Sequence, residues 1–191
     1  GGLVTEYLLE RSRVVEHSEG ERSFHVFYYF VAGLTDVQRG RLCVPIGARF
    51  RGLGSARRGD DSALWQEVVA ALITVGFSVN DVEDVATLLA ASLHCCELKF
   101  ASTDDEGSII TNPPVGELVA QLLALNEADL VSALTSKVTS FRNEQIIKKL
   151  TARQATDSSK AIAKALSGPL FSWIVTRSNS VLPSGRRHAP S

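Results

Sequence analysis

The sequence contains no methionine, not even at position 1, so the expectation is a piece of a longer product rather than a complete primary translation product. Cysteine is scarce: Cys43 and the adjacent pair Cys95 and Cys96 give an odd count and a poor disulfide framework, which fits a reducing compartment. Long apolar runs are missing. No stretch approaches the roughly 18 residues needed to span a bilayer, and the amino terminus lacks a basic start, an apolar core and a small-residue cleavage site. The expected protein is therefore soluble and cytoplasmic, with no membrane span. Net charge is nearly absent too: 20 basic against 21 acidic residues leave −1, which favours neither nucleic acid nor an anionic membrane. A charged partner has to be met by a local patch. What is present is 191 residues at 45% hydrophobic content, enough for one domain with a core of its own.

The apolar spacing predicts a mainly α chain with short β-strands and hairpins. Ser18 followed by Glu21 is a capping box, and it opens a helix whose Phe24, Phe27, Tyr28, Val31 and Leu34 form one buried face, stopped at Gly33. His25 on that helix reads as a packed core histidine rather than a catalytic one. A short helix over 35–42 precedes a Gly- and Arg-rich surface loop over 45–61. Asp60, Asp61 and Ser62 then offer caps for a helix with Leu64, Val68, Leu72 and Ile73, anchored by Trp65 and ended by Gly76. A further amphipathic helix over 79–94 carries Val82, Val85, Ala86, Leu89 and Leu93. Residues 97–100 and 108–111 read as short strands around the turn Asp104, Asp105, Glu106, Gly107. Pro113 and Pro114 break the chain before a helix with Leu118, Val119, Leu122 and Leu123, and Asn126 with Asp129 caps a shorter helix through Leu134. Strands over 138–141 and 145–149 flank the polar turn Arg142, Asn143, Glu144. Thr151 with Gln154 forms a second capping box, opening a long helix that reaches Leu182. No repeat is visible.

Three clusters invite a chemical reading, and each has a plainer one. His94 beside Cys95 and Cys96 suggests a metal, but sequence neighbours point apart and no second Cys or His pair lies at zinc spacing. Arg49, Arg51, Arg57 and Arg58 suggest an anion site, yet they sit in a solvated loop. Asp104, Asp105 and Glu106 lack the alternating oxygen spacing and distal Glu of a calcium loop.

Residues 7–33, YLLERSRVVEHSEGERSFHVFYYFVAG, resemble the segment after switch I of the myosin motor head, where YLLEKSRV leads through a charged loop into E-R-x-[FY]-H-[IV]-F-Y. Gly76, Phe77 and Ser78, the helix over 79–94, and Glu97, Leu98, Lys99 and Phe100 are similar to that family's GFS…ILAAILHLGxxxF passage. Leu150, Thr151, Gln154, Ala155, Thr156 and Asp157, then Ala161, Ala163, Lys164, Ala165, Leu166, Leu170, Phe171, Trp173, Ile174, Val175, Arg177 and Asn179, resemble LTxxQATDARDALAKALYGRLFDWLVxRIN. The likeness covers nearly the whole chain, in the family's order.

The resemblance implies a partial motor domain over 1–182, comprising most of the upper 50 kDa subdomain and the long helix toward switch II, with a disordered tail over 183–191. A strand over 3–9 would belong to the transducer. The hairpin over 138–149 would correspond to the actin-contacting cardiomyopathy loop, which makes Lys137, Arg142, Lys148 and Lys149 the expected actin-binding residues; without the family, they are equally a charged edge that deters sheet pairing. The expected partners are an actin filament and the remainder of the myosin head, and the expected location is cytoskeletal.

ATP and magnesium belong to the parent motor. The P-loop G-x-x-x-x-G-K-[ST], switch I and switch II do not occur in this sequence, so no catalytic, cofactor-binding or metal-binding residue is assigned. Cys95 and Cys96 replace the family's Leu-Gly, Ser158, Ser159 and Lys160 replace Ala-Arg-Asp, and Ser167, Gly168, Pro169 replace Tyr-Gly-Arg. A helix-interior proline costs about 3 kcal/mol unless the helix kinks. The alternative reading is a non-enzymatic helical remnant or interaction module without motor activity.

Overall fold

The computed structural model describes residues 4–5, 11–16, 21–53, 61–141 and 144–181. Seven helices dominate these residues, with two separate two-stranded antiparallel sheets, as the apolar spacing predicts. The helices are α1 (His25–Gly33), α2 (Asp36–Leu42), α3 (Ser62–Thr74), α4 (Val79–Glu97), α5 (Pro113–Leu122), α6 (Glu127–Thr135) and α7 (Ala152–Val181). Strands β1 (Phe100–Ser102) and β2 (Ser108–Ile110) form one hairpin, and β3 (Ser136–Phe141) and β4 (Glu144–Lys149) the other. The strand expected over 3–9 falls mostly outside the described residues, as does the tail over 183–191. At Val4 the main chain is held from both sides by one side chain: its N–H donates to Asn179 Oδ1 at 2.8 Å, and its carbonyl accepts from Asn179 Nδ2 at 2.7 Å.

Helix α4 is the centre of the core. Val82, Val85, Ala86, Leu89 and Leu93, the predicted face, are all buried, together with Ala90 and Ala91. Helix α7 packs against it, and Ala155, Ser159 and Ala163, small residues four positions apart, form a buried stripe on α7. On the other side α1 crosses α3, where Phe30 meets Trp65 edge-on at 5.4 Å. Gly33 is needed there by contact rather than by conformation. A Cβ on Gly33 would lie 2.4 Å from Trp65 Cβ and 2.7 Å from the Ser62 carbonyl oxygen.

Capping accounts for most helix boundaries. Thr35 with Gln38, Ser78 with Asp81, and Thr151 with Gln154 each satisfy one another's backbone donors, and Asn126 accepts the Ala128 N–H at 2.9 Å. Pro113 and Pro114 occupy the first turn of α5, where a missing N–H costs nothing. Helix α3 ends in a Schellman turn: Gly76 (φ +91°) donates to Ile73, and Phe77 donates to Leu72. Phe77 packs with Leu72 and Val82 in a second small cluster, its ring edge-on to Trp173 at 5.0 Å.

Four sequence expectations are corrected. The first helix begins at His25, not at Ser18, which lies outside the described residues. Extended backbone persists to Phe24 because the Ser23 hydroxyl donates to the Arg13 carbonyl and the Ser23 N–H donates to the Tyr28 hydroxyl. His25 is exposed and stacks on Tyr29 at 6.1 Å instead of entering the core. Asp61 does not cap α3; it pairs with Arg22 at 3.2 Å, while the Arg22 guanidinium lies 3.9 Å over the Tyr28 ring. The strand expected over 97–100 starts at Phe100, because α4 runs on to Glu97.

The departures from the family motif fit the fold. Cys95 is fully buried, Ser159 is buried with its hydroxyl donating to the Thr156 carbonyl at 2.9 Å, and Lys160 pairs with Glu16 at 2.7 Å. Pro169 lies within α7 on its exposed side, and the helix continues through it as one element.

Candidate functional site

Strands β3 and β4 pair so that Lys137 faces Lys148, Val138 faces Ile147 and Thr139 faces Ile146. Side chains alternate between the faces of a hairpin. One face therefore carries Lys137, Lys148, Thr139 and Ile146, and the other carries Lys149, Val138 and Ile147. Like charges on one rung repel, so the Lys137–Lys148 rung is a small positive patch on the hairpin. The apolar residues are also uncovered: Val138 is 56%, Ile146 51% and Ile147 69% exposed.

The four residues expected to contact a partner are thus not one cluster. Lys137 and Lys148 lie side by side. Lys149 points from the opposite face and its ammonium is paired with the Asp105 carboxylate in the β1–β2 turn. Arg142 lies outside the described residues. At the base of the hairpin the Leu150 N–H donates to the Thr135 carbonyl at 2.8 Å and the Ser108 hydroxyl donates to the Leu150 carbonyl at 2.8 Å.

The three chemical clusters read from sequence are each engaged in structure. His94 is buried, and its Nε2 donates to the Leu42 carbonyl at 2.9 Å, with the Phe50 ring edge-on at 5.3 Å. The carbonyl has no proton to give, so the Nε2–H tautomer is fixed. Burial pushes the His94 pKa below its ordinary value, against the opposing pull of the Leu42 carbonyl and Glu97. Burial also pushes Cys95 up to about 12 and Cys96 up to about 11, which keeps both thiols protonated and poor ligands or nucleophiles. Arg51 is bound to Glu97, through its own N–H at 2.5 Å and through its guanidinium at 3.4 Å; Arg57 and Arg58 lie outside the described residues. Asp105 is occupied by Lys149. Among the described residues no group of His, Cys, Asp and Glu is arranged to hold a metal ion, and no single helix is long and apolar enough to cross a membrane.

A capped helical core carrying a basic, partly apolar hairpin defines a mainly helical domain segment. Comparison with known families matches residues 1–190 to the myosin head (motor domain). The chain is 35% identical over 196 residues to myosin-1 of Arabidopsis thaliana (98% of this chain, 17% of that protein). It is 34% identical over 187 residues to unconventional myosin-Id of Danio rerio (95% and 18%), and 36% identical over 180 residues to chitin synthase 8 of Mycosarcoma maydis (91% and 9%). The chain belongs to the myosin head family, and it spans less than a fifth of the length of these curated relatives.

Proposed function

We propose that this chain is the filament-facing part of a myosin motor head, with the β3–β4 hairpin as its actin contact. The observation that carries this reading is the Lys137–Lys148 rung on a hairpin whose apolar residues are exposed. An acidic filament surface would neutralise the two ammonium groups, and a small apolar recess would cover Ile146. The remainder of the head, with its P-loop and switches, would bind ATP and magnesium and drive the cycle. In this reading the chain itself contributes no residue to hydrolysis, and the protein works at the cytoskeleton.

The test is cosedimentation with actin filaments at low salt. The protein is expected to pellet with filaments, less so as salt rises, and Lys137→Glu with Lys148→Glu is expected to weaken binding several-fold. A chain that stays in the supernatant at every salt concentration contradicts the reading.

A second reading has one observation in its favour. A relative that matches this chain at 36% identity is a chitin synthase, so a head segment of this kind also occurs in a protein named for a different activity. Here the chain would be an interaction module without motor activity. Actin-stimulated ATP hydrolysis by the full-length protein would exclude this.

A further inference from the structure

Lys149 and the β1–β2 turn are built around each other. Asp105 Oδ1 accepts the Thr103 hydroxyl at 2.6 Å and the Gly107 N–H at 3.4 Å, which leaves Oδ2 aimed at the Lys149 ammonium. Gly107 leaves the space this requires. A Cβ there would lie 2.9 Å from Thr103 Oγ1, 3.1 Å from Asp105 Oδ1 and 3.2 Å from Lys149 Cδ. The Ser108 hydroxyl, next in the chain, holds the Leu150 carbonyl. The turn and the base of the hairpin are therefore joined at two consecutive hairpin residues, 149 and 150, although they lie more than 40 positions apart in sequence.

We infer that Asp105 is a positioning residue that clamps Lys149, fixes the seating of the β3–β4 hairpin on the β1–β2 turn, and so directs the Lys137–Lys148 face outward to the partner. This rests on the reading of the hairpin as the partner contact, and it moves Lys149 from the contact surface to its support. Charge favours the same assignment. Lys149 already has an acidic partner in Asp105, whereas Lys137 and Lys148 would meet an acidic filament without an acidic neighbour on their rung. An exposed ion pair adds little to stability; its effect here is on the direction of the hairpin.

Two measurements made without filaments test the clamp. In the wild-type protein the Asp105 carboxyl, followed by NMR, is expected to titrate near 2, held there by the Lys149 and Thr103 hydrogen bonds, and Lys149→Gln should return it toward the usual carboxylate range. Amide exchange over 136–149 should rise equally in Asp105→Asn and in Lys149→Gln. With filaments, the two substitutions should each weaken binding by about two- to fivefold, and the double variant should be no weaker than either single one. Ordinary titration of Asp105, unchanged hairpin exchange, additive losses, or a loss confined to Lys149→Gln would each overturn the clamp. If no variant or wild type binds filaments, the actin reading fails while titration and exchange still decide the clamp.

Discussion

Helix α4 and the β3–β4 hairpin use apolar residues in opposite ways. Along α4, Val82, Val85, Leu89 and Leu93 are each at most 5% exposed, whereas Val138, Ile146 and Ile147 in the hairpin are each more than half exposed. The helix is tied to its neighbours along its length by packing and by a capping box at its start. The hairpin's main-chain pairing is largely with itself. The core therefore holds the fold, while the hairpin's Val138, Ile146 and Ile147 add little buried area to it. The two lysines of the Lys137–Lys148 rung are exposed as well, on the face that carries Ile146.

This contrast predicts a gradient of mutational effects. Leu93→Ala should be the most severe, destabilising by about 2–5 kcal/mol through lost burial and an unfilled cavity, read from denaturant unfolding. Gly33→Ala comes next. Its Cβ would collide with Trp65 and the Ser62 carbonyl, forcing α1 away from α3 at about 1–3 kcal/mol, measured the same way. If this variant were as stable as wild type, the α1–α3 contact would be looser than described.

The His94 effect depends on pH. Its folded pKa lies below the unfolded value of 6.5, so the unfolded chain binds more protons between those two values. Stability should be full above pH 6.5 and fall as the pH drops toward the folded pKa. Thermal unfolding between pH 7.5 and 5.5 reads this, and His94→Gln, which retains a donor for the Leu42 carbonyl, should flatten the slope. The smallest effect belongs to the hairpin: Ile147→Thr should change stability by no more than about 0.5 kcal/mol. A loss comparable with Leu93→Ala would mean that the hairpin is part of the core.

The same contrast explains what could be read from sequence. The α4 face is periodic, and burial follows periodicity wherever a helix has neighbours on one side. The Thr151–Gln154 box and the Gly76 stop are local chemistry, so they too are legible. Ser78–Asp81 has the same spacing but carries Asp in place of the usual Glu or Gln, which hides the box. His25 is misjudged because the true start of the helix depends on Ser23 bonds to Arg13 and Tyr28. The placement of Lys149 is hidden for a related reason. Its face is set by strand register, which a single-residue slip would reverse, and its partner Asp105 lies 44 residues away. Basic composition identifies the hairpin, but only the register separates Lys137 and Lys148 from Lys149.

The most direct test compares the two regions in one experiment: hydrogen–deuterium exchange of the protein with and without actin filaments. New protection is expected over 136–149 and no change over 79–97, where packing already shields the backbone. Filament-dependent protection elsewhere in the chain with none in the hairpin would contradict it.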